Sequence, residues 1–344
     1  MEVKSSMRIK NDFPAILSNY FTKHLSLERK FSENTYNNYL ITLKQFIDYL
    51  ENNICISRRS ISICDFNKEN ILSFLMYVEN ELLCKAKTRN YKLTVINAFL
   101  EYAQSINPIY LRQYMDSKNI KLKRVVKEKM DYLTKDELET VFKAINLKHK
   151  DGYRHYVLLT VLYETATRVS ELINIRIEDL FFNNESAYIK VLGKGFKERI
   201  IYINDSVVKM INEYRSKLNI NDGYLFLNHS KQQMSRQGVN KIIDKYVDIA
   251  KKECPTLTHK RVSPHTFRHS KAVHFLENGT ALPIIQRFLG HSSIQTTEIY
   301  LDITNEVVID AVNTIADKIT SKHREKSMWD GDDKLVALLE GLGK

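Results

Sequence analysis

The first 151 residues contain no glycine; all ten glycines lie at Gly152 or later. Glycine reaches positive φ at no steric cost, so a stretch without it should hold few turns that need that conformation. The same stretch has two prolines, Pro14 and Pro108. A chain so poor in turn formers is expected to fold as helices with few breaks. The apolar spacing agrees. Tyr39, Leu40, Leu43, Phe46, Ile47 and Leu50 recur at helical intervals behind a cap at Ser32. Ile71, Phe74, Leu75 and Val78 do so after Asn67, and Tyr91, Val95, Ala98, Phe99 and Tyr102 after Thr88. A first helix near Pro14–His24 and a short one near Tyr110–Asp116 complete a helical bundle.

At 344 residues the chain is long enough for two domains of about 150 residues each. Hydrophobic residues make up 43% and charged residues 27%, which excludes disorder as the main state. The longest near-apolar run, Tyr156–Tyr163, is too short to span a membrane, and the polar N-terminus lacks the apolar core of a secretory signal. Lys and Arg exceed Asp and Glu by 52 to 41, giving a net charge of +11. That balance suits a polyanionic partner, nucleic acid ahead of an acidic membrane surface. Cys55, Cys64, Cys84 and Cys254 form no CxxC pair, so neither a zinc knuckle nor a redox motif is expected. They read as buried small apolar residues of a disulfide-free protein in a reducing compartment, the cytoplasm.

The chain is expected to divide into an extension (1–12), a helical domain (13–116), a basic linker (117–131), a second domain (132–322) and a tail (323–344). The linker carries Lys118, Lys121, Lys123, Arg124, Lys127 and Lys129 and few residues that suit a core. Thr134 with Glu137 three residues on forms a capping box that restarts helix. Tyr153–Leu172 reads as helix interrupted at Thr165-Ala166-Thr167-Arg168. Ala187–Val191 and Arg199–Ile203 read as a hairpin with a glycine-flanked tip, and helical patterns return from Gln237. The fold class is therefore mainly α with a small antiparallel β-sheet. The tail ends on an apolar stripe, Leu335, Leu338, Leu339 and Leu342, on a helix too short to be stable alone in water.

Four segments of the second domain share a choice of residues: Arg168 in TATRVSEL, Lys194 in GKGFKER, His265 and Arg268 in PHTFRHS, and His291 with Tyr300 in LGHSSIQTTEIY. Arginines clamp the oxygens of a phosphate bidentately. A lysine on a mobile tip can protonate a leaving oxygen, a histidine can accept a proton, and a tyrosine hydroxyl can attack phosphorus to form an ester. Together they suffice for phosphoryl transfer without metal, because the arginines supply the positive charge.

In this pattern the chain resembles the tyrosine recombinases of the phage integrase family, with the layout of two-domain Xer-like enzymes. The likeness runs from about Lys10 to Ile315 and is most specific in HxxRH, ENG, LGHSS and a tyrosine nine residues after His291. It implies a SAM-like core-binding bundle followed by an α+β catalytic domain. It implies that Arg168 and Arg268 bind the scissile phosphate, Lys194 protonates the leaving 5′ oxygen, and His265 is the base for Tyr300. His291 would hydrogen-bond the phosphate or steady the transition state, and Glu171 would orient active-site side chains from behind. The product would be a 3′-phosphotyrosyl link and a free 5′ hydroxyl, with no metal, cofactor or ATP. The resemblance further implies a homotetramer on two double-stranded DNA sites, an exchanged C-terminal segment, no membrane, a bacterial or phage-type nucleoid-associated location, and a role in moving or resolving a mobile element. Only about a dozen residues precede Phe13, so an arm-binding domain ahead of it is not expected.

Other readings stand beside these. Lys197 rivals Lys194 as the acid and is a backbone-contact candidate with the linker lysines. His265 and His269 have i, i+4 spacing, but Arg268 beside them opposes a metal; His269 and His274 are expected to pack or hydrogen-bond. The family has glycine where this chain has Ala166, which is expected to take an ordinary helical φ. The same residues would also serve a type IB topoisomerase or resolvase, and a non-catalytic DNA-binding accessory protein is the reading from another class.

Overall fold

The computed structural model describes residues 12–125, 130–182, 186–193, 197–291, 293 and 295–300. Lys127, Lys129, Lys194, nearly all of the extension and the whole tail fall outside the described residues. The chain divides into two compact units, residues 1–128 and 129–344.

The first unit is helical, as its lack of glycine requires. α1 (Phe13–Asn19) runs into a π-helical turn at Tyr20–Glu28, followed by α2 (Glu33–Asn52), α3 (Lys68–Asn80), α4 (Ala86–Ile106) and α5 (Leu111–Lys118). Ser32 and Asn67 cap α2 and α3 by accepting from the Thr35 and Asn70 amides. α4 starts ahead of the expected Thr88, with Lys85 at its N-cap. Phe13, Phe46, Phe66, Phe74 and Phe99 interlock edge-on or tilted in the core.

The absence of glycine does not remove positive φ. Lys30, Cys55 and Leu83 adopt +47°, +62° and +48°. Each ends a helix, and the next amide bonds back into the last turns: Phe31 to Leu25, Ile56 to Leu50, Cys84 to Val78. Closing a helix in this way needs a left-handed residue whatever its side chain.

The start of the basic segment is not a bare tether. Ser117 and Ile120 are buried. Arg89 donates to the Lys121 carbonyl at 3.1 Å, and the Asn90 side chain bonds both the amide and the carbonyl of Lys123. Lys123 pairs with Glu79 at 2.8 Å, and Lys118 donates to the Tyr114 hydroxyl at 3.0 Å. Arg124 is exposed.

The second unit opens with α6 (Lys135–Lys143), started by the Thr134/Glu137 capping box, then α7 (Gly152–Thr165) and α8 (Val169–Leu172). An antiparallel sheet follows in the order β1 (Leu180–Phe182), β2 (Ala187–Leu192), β3 (Glu198–Tyr202). The hairpin β2–β3 stands where the alternation places it, with Ile189 opposite Ile201; three-residue β1 is too short to show a period. α9 (Asp205–Leu218), α10 (Arg236–Ala250), α11 (Pro264–Glu277), α12 (Leu282–Leu289) and α13 (Gln295–Glu298) complete the unit. Its main core joins α7, the inner face of the sheet, α9 and α10. A smaller core of Ala166, Ala272, Val273, Leu276, Ile285, Leu289 and Tyr300 forms one wall of the site. Among the described residues no helix is long and apolar enough to cross a membrane.

Candidate active site

α7 must stop and α8 begin within three residues, and Ala166 makes that reversal at φ +45°, ψ +32°. The ordinary helical φ expected of it is therefore wrong: the position is left-handed, and alanine occupies it without the freedom of glycine. Ala166 is fully buried, and Arg268 Nη1 donates to its carbonyl at 2.7 Å, so packing and a charged donor hold the strained turn.

Beyond the turn, Arg168 is the N-cap of α8. Its backbone amide donates to Glu171 Oε2 at 2.8 Å and its Nη1 to Oε1 at 2.7 Å. Glu171 thus bonds both the backbone and the guanidinium of Arg168. Burial pushes the Glu171 carboxyl up, but hydrogen bonds and charge from Arg199, then Arg168, bring it down to about 2.

Arg199 is the residue the sequence reading passed over. It lies on β3, where Ile201 is buried and Glu198, Ile200 and Tyr202 are exposed, so it shares the inner phase. Its Nη1 and Nη2 reach the two Glu171 oxygens at 3.1 and 2.8 Å. A charged residue in phase with an apolar inward neighbour was the available signal.

Arg268, on α11, is 3% exposed. Besides the Ala166 carbonyl it donates to the Leu289 carbonyl at 2.6 Å. Burial, then Arg168 and Arg199, bring its guanidinium down to about 10, still charged at neutral pH. His265, one turn earlier, reaches the surface, and partial loss of water around its ring, then Arg268 and Arg168, lower its basicity.

Tyr300 is fully buried, with its hydroxyl 2.9 Å from His269 Nδ1. Burial raises the phenol to about 12 against the opposing pull of Arg268. His269, which the sequence suggested as a packing or hydrogen-bonding residue, is therefore a partner of the tyrosine itself. Burial, His265 and Arg268 hold its imidazole down at about 4. His291 Nδ1 lies 3.0 Å from the Thr297 hydroxyl, and burial plus the three arginines hold it at about 4 as well. His274 bonds the Tyr163 hydroxyl at 2.7 Å, a structural contact.

Lys197 is exposed, and its carbonyl accepts the Gly193 amide at 2.8 Å, closing the neck of the hairpin. Arg168, Arg199, Arg268 and the imidazoles thus gather from α8, β3, α11 and the end of α12, with Tyr300 against His269 and Arg268. Three cations against one carboxylate leave the pocket positive, which suits a phosphate whose charge grows in the transition state.

Residues 131–306 match the phage integrase family, and residues 19–106 match its N-terminal SAM-like domain. The chain belongs to the phage integrase family. The chain is 32% identical over 298 residues to tyrosine recombinase XerD of Staphylococcus epidermidis (strain RP62A), covering 84% of this chain and 94% of that protein. It shares its fold with XerH site-specific recombinase bound to palindromic difH substrate in a post-cleavage complex. That match has a TM-score of 0.65 at 20% identity and covers 83% of this chain and 80% of the other. A lambda integrase tetramer bound to a Holliday junction is similar at a TM-score of 0.63 and 15% identity, over 84% of this chain and 76% of that one. The integrase is a tyrosine-type site-specific DNA recombinase.

Proposed function

We propose that strand cleavage runs through Tyr300. Arg168 and Arg268 bind the non-bridging oxygens of the scissile phosphate, and the Tyr300 oxygen attacks phosphorus. The Tyr300 O–P bond forms as the P–O5′ bond breaks, leaving a 3′-phosphotyrosyl link. Lys194 gives its proton to the departing 5′ oxygen. The tyrosine's proton passes to the α11 histidines: His269 holds the hydroxyl, and His265, at the exposed end of the helix, is the base that releases it. His291 hydrogen-bonds the phosphate. A 5′ hydroxyl from a second DNA reverses the step and conserves the ester energy, so no external energy source is used.

The observation that carries this reading is the Tyr300 hydroxyl at 2.9 Å from His269, next to the buried guanidinium of Arg268. Because Tyr300 is fully covered, the residues over it must shift before a phosphate arrives.

The helical unit, residues 13–116, would read DNA through its major groove, and the basic segment 117–131 would follow the backbone through Lys118, Lys121, Lys123, Arg124, Lys127 and Lys129, with Lys197 beside the hairpin. Four copies would act on two sites, paired protomers in turn, with residues 323–344 exchanged between neighbours. The lambda integrase tetramer on a Holliday junction supports that assembly by likeness of fold. The reaction would move or resolve a mobile element in the cytoplasm.

The test is covalent trapping without divalent metal. A duplex selected by the protein from a random pool is nicked so that the cleaved 5′-hydroxyl fragment diffuses away. A denaturing gel should show a protein–DNA adduct for the wild type and none for Tyr300→Phe. An adduct that survives Tyr300→Phe names another nucleophile, and no adduct on DNA that the protein binds removes the reading.

A further inference from the structure

Glu171, which holds Arg168, the hairpin that carries Lys194 and the turn that carries His291 belong to three different elements, yet one side chain reaches all three. Arg199 grips both oxygens of Glu171 with its two terminal nitrogens, at 3.1 and 2.8 Å. Glu171 uses the same two oxygens for the Arg168 guanidinium and amide, at 2.7 and 2.8 Å. The stem of Arg199 crosses Gly290, where an added Cβ would lie 2.9 Å from Arg199 Cδ and 3.3 Å from its Nε and Nη1. Gly290 stands at φ +67° as the C-cap of α12, immediately before His291. At the hairpin neck a Cβ on Gly193 would meet Arg199 Nη1 at 3.5 Å and Glu171 Oε1 at 3.7 Å. Gly290 thus keeps open the channel that the guanidinium fills, whereas a Cβ at Gly193 would make only ordinary contact with the guanidinium and come closest to the Lys197 carbonyl, at 3.2 Å.

We propose that Arg199 is a positioning residue for strand cleavage: it locks Arg168, the hairpin neck and the His291 turn into one register. Both of its terminal nitrogens bond Glu171, the carboxylate that holds Arg168, so it acts on Arg168 through that carboxylate. A fork is required: lysine offers one point contact and cannot hold two oxygens in a plane. The proposal rests on the reading that Arg168 and Tyr300 perform the cleavage.

The experiment compares wild type, Arg199→Lys and Arg199→Met for affinity to the trapping duplex and for single-turnover adduct formation at saturating DNA. Expected are affinities within about twofold of wild type and cleavage slowed by about 10- to 100-fold in both variants, the range for outer partners that orient a contact group. Adding Arg199→Met to Glu171→Gln should slow cleavage by less than the product of the two single effects, because both act on Arg168 through one carboxylate. Cleavage at wild-type rate in Arg199→Lys, a proportional loss of affinity and cleavage, or additive losses would each overturn the proposal.

A readout on the free protein separates this from the function reading. The Arg168 guanidinium resonances, assigned by their loss in Arg168→Lys, should show restrained rotation in wild type and faster rotation in Arg199→Lys. Unchanged rotation overturns the positioning role even if no adduct forms with any variant. Restrained rotation released by the substitution, with no adduct in wild type, removes only the cleavage reading.

Discussion

Arg268 Nη1 donates to the Ala166 carbonyl at 2.7 Å while its Nη2 donates to the Leu289 carbonyl at 2.6 Å. One buried guanidinium therefore ties the turn before Arg168 to the end of the helix before His291. The arrangement accounts for a non-glycine residue at positive φ: the cost of a left-handed alanine, about 1–2 kcal/mol, is offset by a charge-assisted hydrogen bond of about 1.5–3 kcal/mol. The turn and the arginine stabilise each other.

Ala166→Gly should consequently be tolerated. It relieves the left-handed strain and gives back about 0.4–1 kcal/mol through the freer unfolded chain. Urea unfolding should change little and adduct formation should persist. Ala166→Val places a branched side chain at positive φ in a filled core, and its expected cost is about 2 kcal/mol or more. A Val variant as stable as wild type would show that the turn is not held in this conformation.

Arg268→Lys keeps the charge and loses the span. One ammonium cannot serve two carbonyls on separate elements in the geometry of a guanidinium. At least one buried carbonyl is left unpaired, at about 1–3 kcal/mol. Losing a preorganised donor at the phosphate should slow cleavage by about 100- to 1,000-fold. Urea unfolding and single-turnover trapping measure the two effects separately, and full activity in Arg268→Lys would contradict the assignment.

What the sequence disclosed, and what it withheld, follows from the range of each interaction. The caps at Ser32, Asn67 and Thr134 were legible because a cap is decided within four residues. The hairpin Ala187–Tyr202 was legible from alternation over five or six residues. The positive φ of Lys30, Cys55, Leu83 and Ala166 was hidden, because helix-end geometry rather than side-chain type demands it. Arg168, Arg268 and Tyr300 were singled out by motif spacing. His269 and Arg199 were missed as site residues because their partners, Tyr300 and Glu171, lie 31 and 28 positions away and only the folded chain brings them together.

Glu171 should leave a signature in acid. Its carboxyl stands near 2 in the folded chain against an ordinary 4.5. A depressed folded value means that the stabilisation is complete above about 4.5 and disappears as pH falls toward 2. At about 1.4 kcal/mol per unit this amounts to about 3 kcal/mol. Urea unfolding at pH 7, 4.5 and 3 should give a wild-type curve that drops toward that of Glu171→Gln across the window. A constant gap between the two curves would mean that Glu171 does not carry the shift.

His269 and His291 act in a neighbouring window. Both sit near 4 rather than 6.5 because burial and nearby arginines resist their protonation. Between about 6.5 and 4 the unfolded chain binds protons that the folded chain refuses, so stability falls as pH falls. His269→Gln should flatten the decline between pH 7 and pH 5 in urea unfolding. An unchanged slope would show that His269 titrates normally and is not enclosed against Tyr300.

The basic segment offers a graded test of DNA contact. Each phosphate neutralised contributes about 0.9 to the slope of log affinity against log salt. Lys121 is exposed, and its backbone is fixed by Arg89 at 3.1 Å, so its ammonium is presented from a rigid base. Lys121→Gln should lower the slope by about 0.9. Lys123 is already paired with Glu79 at 2.8 Å and must give up that carboxylate to meet a phosphate. Lys123→Gln should therefore lower the slope by less than Lys121→Gln, while Glu79→Gln should raise affinity at low salt by releasing Lys123. Equal slopes for the two lysine variants would mean that the Lys123–Glu79 pair opens fully on DNA. No change in either would place the backbone path elsewhere on the molecule.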